Sequence, residues 1–154
     1  MSQVTELFEY NAWANEQLFV ICDDLSPETL AADFPELGGG ILELLDHMTA
    51  VERAFLTVTT GGDVKRPAPR TYAQVREDFG RLSVEWAAAA PDLEKRLGES
   101  FLVPWFGREI RVEQGLTQAM THSVQHRAGV CAGLARAGRE APGLDYIIWV
   151  ARER

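Results

Sequence analysis

Apolar residues recur at steps of three and four over four long stretches of the chain. In the first, Leu7, Tyr10, Ala14, Leu18, Ile21 and Leu25 fall on one face, which predicts a helix from about Thr5 to Leu25. The second carries Ile41, Leu44, Leu45, Met48, Val51 and Phe55. It predicts a helix from Ile41 to Thr59, set between Gly38-Gly39-Gly40 and Gly61-Gly62. The third places Val75, Phe79, Leu82, Trp86 and Ala89 on one stripe. Thr71-x-x-Gln74 ahead of it has the form of a capping box, and Pro91 is expected to end or kink it. The fourth runs from about Val112 to Ala137, with Gly138 as its C-terminal stop.

Shorter elements fill the gaps. Ser26-Pro27-Glu28 offers an N-cap and a first-turn proline for a helical turn that Pro35 ends. Gly61 to Arg70, with Pro67 and Pro69, reads as an extended connection, and Asp145 to Glu153 as a last helical segment. Phe101 to Val112 is ambiguous. Phe-Leu-Val before Pro104 and Ile-Arg-Val after Gly107 suit either two short strands around a turn or an irregular loop. Four long amphipathic helices predict an all-α four-helix bundle, a single domain over residues 1–154.

Composition narrows the partners. With 154 residues, 46% hydrophobic and 25% charged, the chain can build one ordinary core. Its net charge of -8 repels phosphate backbones and anionic membrane surfaces, so neither nucleic acid nor a membrane is expected. No apolar run is long enough to cross a bilayer, and MSQVTELFEYN lacks the basic start and apolar stretch of a signal peptide. A cytoplasmic location is expected. Cys22 and Cys131 form no CxxC pattern and read as buried free thiols of a reducing compartment.

The chain has 3 histidines. His122 and His126, four apart on the fourth helix, point from one face about one turn apart. Leu44 and Val51 flank His47 at minus three and plus four, which turns it toward the bundle interior. A lone histidine on an apolar face is ordinarily a core residue with a hydrogen-bond partner, and an HxxxH pair arises often by chance. The combination, with every histidine of the chain on an inward helical face, points instead to one divalent metal ion. Neutral imidazole suits zinc, nickel, copper or iron(II). Gly115, Ala119, Gly129 and Gly133 share the face of the histidine pair. Glycine costs a helix about 1 kcal/mol against alanine, so several on one face indicate close approach by another helix, or else room for a ligand.

At this point the chain resembles the DinB/YfiT-like superfamily of metal-dependent enzymes. Tyr10-Asn11-Ala12-Trp13-Ala14-Asn15 is similar to the first-helix signature of that family. Leu45-x-His47 and Glu52-Arg53-x-Phe55-Leu56 are similar to its second helix, and His122-Ser123-Val124-Gln125-His126-Arg127 to its HxxxHR motif. The ending from Leu144-Asp145-Tyr146 onward is also similar. Phe55 stands where the family often has tryptophan, Gln125 where it often has a second histidine, and Ala128-Gly129 where it often has Gly-Gln. The resemblance implies an up-down-down-up bundle, a three-histidine metal site at His47, His122 and His126, and a homodimer. Such an order needs a connection between the second and third long helices that runs much of the bundle length. Gly61 to Arg70, at about 3.3 Å per residue, is long enough.

Three neutral imidazoles leave the ion's charge uncompensated and a coordination position open, the pattern of catalytic sites. Zinc or nickel is the first expectation, with iron or manganese as alternatives. The superfamily includes transferases and isomerases that use thiols such as bacillithiol or mycothiol. A thiol S-transferase is therefore the leading reading, acting on a small-molecule substrate with a low-molecular-weight thiol. Metal-dependent hydrolysis and a non-catalytic metal-binding role in stress response are the alternatives. Glu43, one turn before His47, and Glu52, five residues after it, are candidate metal-orienting partners or proton carriers; each reads equally as surface charge. Arg127 points about 100° away from His126 and suits either a substrate carboxylate or, preferably, an interhelix ion pair. Tyr10 and Trp13 suit the pocket mouth or, preferably, the core.

Overall fold

The computed structural model describes residues 3–65 and 68–152. Pro67 of the expected connection, Glu153 of the expected last segment and the first two residues of the N-terminal stretch lie outside them. Four long helices are present: α1 (Gln3–Cys22), α3 (Ile41–Thr59), α4 (Tyr72–Lys95) and α5 (Val112–Arg136). The short α2 (Pro27–Leu30) and a 3-10 turn, Pro35–Leu37, lie between α1 and α3, and α6 (Tyr146–Arg152) closes the described chain.

Local signals set most boundaries. Ser26 caps α2, its hydroxyl accepting from the Thr29 amide. Thr71 and Gln74 form the expected reciprocal box at the start of α4. Helix α1 stops at Cys22, short of the expected Leu25. Its continuation would put Asp23 and Asp24 at the negative end of the helix dipole, and the chain tightens instead, with the Asp24 and Leu25 amides donating to Ile21 and Cys22. Pro91 does not end α4, which continues to Lys95. Proline removes one backbone donor, and burial of Ala90 and Leu93 on the same stripe outweighs that loss.

Contacts fix the helix directions. Phe8 stacks on Trp86 and Phe19 on Phe79, so α1 and α4 are antiparallel. Asp46 and Asp78 share Arg70 near the start of α4, while Arg53 reaches Asp78 and Glu85, so α3 and α4 are parallel. A Cβ on Gly133 would meet Ile41 and one on Gly115 would meet Thr59, so α3 and α5 are antiparallel. The order is up-down-down-up, and Arg70, at the end of the connection from α3 to α4, docks on Asp46.

Two buried clusters form the core. One centres on Leu18, Phe19, Leu45, Met48 and Val130, the other on Phe8, Leu56, Leu82, Trp86 and Leu116. Each such side chain contributes about 1.5–3 kcal/mol by leaving water. The ambiguous stretch is a hairpin: β1 (Ser100–Val103) pairs antiparallel with β2 (Arg108–Arg111), from Ser100 opposite Arg111 to Val103 opposite Arg108. Gly107 takes the left-handed conformation at its turn, φ 62°, which residues with a Cβ rarely adopt. Phe101 packs over Gly115, and Trp105 meets Phe55 edge-on, so the hairpin covers the junction of α3 and α5.

Candidate metal centre

Helix α3 brings His47, and α5 brings His122 and His126, to one seam between the two helices. The glycine face of α5 makes that seam narrow. A Cβ on Gly133 would stand 2.8 Å from Ile41 Cγ1, and one on Gly129 would stand 3.2 Å from Leu44 Cδ1. The small residues therefore serve close packing within the chain and leave no room for a ligand.

His122 Nε2 lies 3.1 Å from His47 Nε2. The ring centroids are 4.9 Å apart for His47 and His122, 4.8 Å for His47 and His126, and 4.3 Å for His122 and His126. One ligand nitrogen from each ring falls within 4.8 Å of the others. Metal–nitrogen bonds of about 2.1 Å place ligand atoms roughly 3.4 Å apart in a tetrahedron, so small side-chain adjustments close the set on one ion. The surroundings suit that ion. Burial, then His126, then His47, push the His122 pKa down to about 4, and burial followed by His47 lowers that of His126. Both rings are thus neutral at pH 7, the form that binds metal. His122 Nδ1 is buried with no hydrogen-bond partner, which a histidine kept for core hydrogen bonding would have. The ring's polar contact is with the cluster.

His47 departs from its expected position. It is exposed, and the cluster lies at the edge of the core. Residues at minus three and plus four both lie to one side of a position, about 60° and about 40° round the helix, so they do not by themselves turn it inward. The buried arc of α3, from Leu44 and Met48 through Ile41 and Glu52 to Leu45, centres about 120° further round at 100° per residue. That offset aims His47 across the seam and leaves it on the wall of a cavity of about 820 Å³.

The three candidate helpers separate. Glu43 is exposed and lines the same cavity as His47. Glu52 and Arg127 turn into the bundle, where they are 2% and 3% exposed. Glu52 Oε1 accepts from Asn11 Nδ2 at 3.0 Å, from Asn15 Nδ2 at 2.9 Å and from the Ser123 hydroxyl. Arg127 Nη1 donates to Asn11 Oδ1 at 2.5 Å and Asn15 Oδ1 at 2.8 Å. The two asparagines thus link a buried carboxylate to a buried guanidinium. Burial raises the Glu52 pKa against three hydrogen bonds and the Arg127 charge, and burial lowers that of Arg127. Arg127 makes no direct ion pair among the described residues, so the expected interhelix pair is replaced by this link through two asparagines. Neither Tyr10 nor Trp13 lines the cavity beside His47. Tyr10 packs among Trp13, Tyr146 and Trp149, beneath Arg127, and donates to the Leu144 carbonyl.

Asn11, Asn15 and Ser123 satisfy these charges, a role that none of them carries in its own chemistry. Their signal is present: Asn11 and Asn15 interrupt an apolar face at a spacing of four, in step with Ala14 and Leu18. A polar pair inside such a face needs polar partners of its own.

The sequence model of the DinB family matches residues 1–153. The chain belongs to the DinB family. A curated relative, the protein DinB of Bacillus subtilis (strain 168), is 24% identical over 162 aligned positions, covering 94% of this chain and 92% of that protein. The crystal structure of a DinB-like protein from Bacillus cereus ATCC 10987 superposes with a TM-score of 0.65 at 20% identity, over 85% of this chain and 90% of that one. That likeness carries the fold. Within this DinB-family fold the histidine cluster is a group able to hold a divalent metal ion, and among the described residues no helix is long and apolar enough to cross a membrane.

Proposed function

We propose that this DinB-family protein holds one divalent transition metal, zinc or nickel, on His47, His122 and His126, and transfers a low-molecular-weight thiol onto an electrophile. The observation that carries this reading is a centre with one open side: three imidazoles converge, and one of them, His47, is exposed on the wall of a cavity large enough for a small molecule. When bound, such an ion supplies Lewis acidity, which acidifies a thiol or water and polarises an electrophile. In the transfer a carbon–sulfur bond forms while the bond from that carbon to its leaving group breaks, and the thiol proton leaves with the leaving group.

The chain's own residues divide the remaining work. The histidines position the reacting group at the seam, the tight packing of α3 on α5 closes the inner side to water, and Glu43 faces the substrate. Glu52 and Arg127 act on the framework, holding α1, α3 and α5 in register. We propose further that the chain works as a homodimer, for which light scattering reads twice 17.1 kDa.

The test is an assay of metal-loaded protein against thiols and alkylating electrophiles. Turnover that requires both metal and thiol supports the transferase. Turnover with metal and water alone supports hydrolysis instead, and stoichiometric metal binding with no turnover supports a non-catalytic binder.

A further inference from the structure

The cavity beside His47 carries an unbalanced charge. Its polar wall holds Asp33, Glu43, Asp46 and Arg70. Arg70 is committed: Nε donates to Asp46 Oδ1 at 2.6 Å, Nη1 to Asp78 Oδ2 at 2.6 Å and Nη2 to the Asp46 carbonyl at 3.1 Å. Its charge is therefore met by two carboxylates, and Asp46 is spent on it. Asp33 and Glu43 are exposed and make no ion pair among the described residues. Glu43 stands one helical turn before His47, about 6 Å along the axis. The same wall thus presents His47, one imidazole of the cluster, together with two carboxylates that make no ion pair among the described residues. Leu30, Leu42 and Ala50 supply apolar wall to the cavity.

Resting on the thiol-transfer reading, we propose that this cavity selects a small thiol bearing an amine cation and discriminates against thiols bearing carboxylates. The sulfur end suits the histidine centre, where soft donors bind metal. The ammonium end suits Asp33 and Glu43. A carboxylate at that end would meet like charge, with no unpaired guanidinium among the described wall residues to receive it. Two carboxylates near a partly screened cation, each at about 6 Å, give roughly tenfold in affinity for each change of ligand charge at low salt.

Three thiols of nearly equal size test this: cysteamine, 2-mercaptoethanol and 3-mercaptopropionate, whose far ends are cationic, neutral and anionic. The protein is loaded with cobalt(II), and two signals are followed together. The thiolate-to-cobalt absorption band reports ligation by sulfur. Methyl NMR shifts of Leu30, Leu42 and Ala50, read on the zinc-loaded protein, report occupancy of the cavity. The expected result is a dissociation constant about tenfold lower for cysteamine than for 2-mercaptoethanol, and about tenfold higher for 3-mercaptopropionate. In D33N/E43Q the spread should fall to about threefold or less, with cobalt content unchanged.

Equal affinities, or the reverse order, with a band from all three thiols would overturn the charge selection and leave the thiol reading standing. Methyl shifts that follow the charge order without any band would uphold the selection and remove the thiol. An order that persists unchanged in D33N/E43Q would also overturn the assignment to these carboxylates, and no binding of any thiol would sink both readings.

Discussion

Replacing Arg127 by methionine removes a charge from the bundle interior and nothing from the histidine centre. The guanidinium group is met at Nη1 by Asn11 and Asn15, which hold Glu52 with their amide nitrogens, and all four residues are at most 3% exposed. Arg127→Met strands the Glu52 carboxylate and leaves both asparagine oxygens unmet. Breaking a buried pair by removing one partner costs about 3–5 kcal/mol, much of it the stranded charge. Glu52→Gln keeps an oxygen where three donors converge and should cost less, about 1–2 kcal/mol. The double variant removes both charges, so its cost should fall short of the sum by about 1–3 kcal/mol.

The pH dependence carries its own sign. Burial already raises the Glu52 pKa in the wild type, and losing Arg127 removes a lowering influence. The folded variant then binds a proton that the unfolded chain releases, so its stability is greatest below the unfolded carboxylate pKa and falls as pH rises through the raised one. The gap between wild type and Arg127→Met should therefore widen from pH 5 to pH 8. Contributions from the histidines are common to both proteins and cancel in the gap. Urea unfolding with chelator present reads all of this. Additive single costs together with a gap independent of pH would refute the bridged charge pair.

Three further outcomes are expected. Thermal unfolding of His126→Ala should match wild type without metal, but fall short of it by about 2.7 kcal/mol when free metal is a hundred times its dissociation constant, whereas an equal shift in both conditions would make His126 structural. Because the His122 pKa is lowered to about 4, the unfolded chain binds the extra proton, and metal-free protein should lose stability as pH falls from about 6.5 toward 4, read by urea unfolding at stepped pH. Gly133→Ala, whose Cβ would meet Ile41 Cγ1 at 2.8 Å, should destabilise by about 1–3 kcal/mol, while Gly80→Ala, with nothing within 4 Å, should stabilise by up to about 1 kcal/mol.

Periodicity located the helices because each long helix buries one arc, and α3 was bounded by glycines on both sides. The helix order came through resemblance, since sequence spacing alone does not say which helices run parallel. The histidines were legible as a set because few residue types are so rare in this chain and so specific in chemistry. Their exposure was not. Whether His47 faces inward depends on where the buried arc is centred, and Glu52, a charged residue deep in that arc, shifts the centre away from it. On α1 the buried Asn11 and Asn15 hide the true face in the same way, so that Leu7 is 37% exposed while Asn11 is 2% exposed. Burial of an asparagine depends on a partner more than a hundred positions away, which no local window contains.

The division of charge between helices also bears on the order in which the chain is made. Helices α1, α3 and α4 leave the ribosome first, and together they hold Asn11, Asn15 and Glu52. They do not hold Arg127 or Ser123, which arrive with α5. A three-helix intermediate that closed early would bury a carboxylate without its counter-charge, and that desolvation opposes premature collapse. The last long helix therefore brings the missing cation, the serine donor and two of the three histidines in a single docking event. Newly made protein becomes able to take up metal only once its interior is electrically complete, so an unfinished chain has no centre with which to capture an ion.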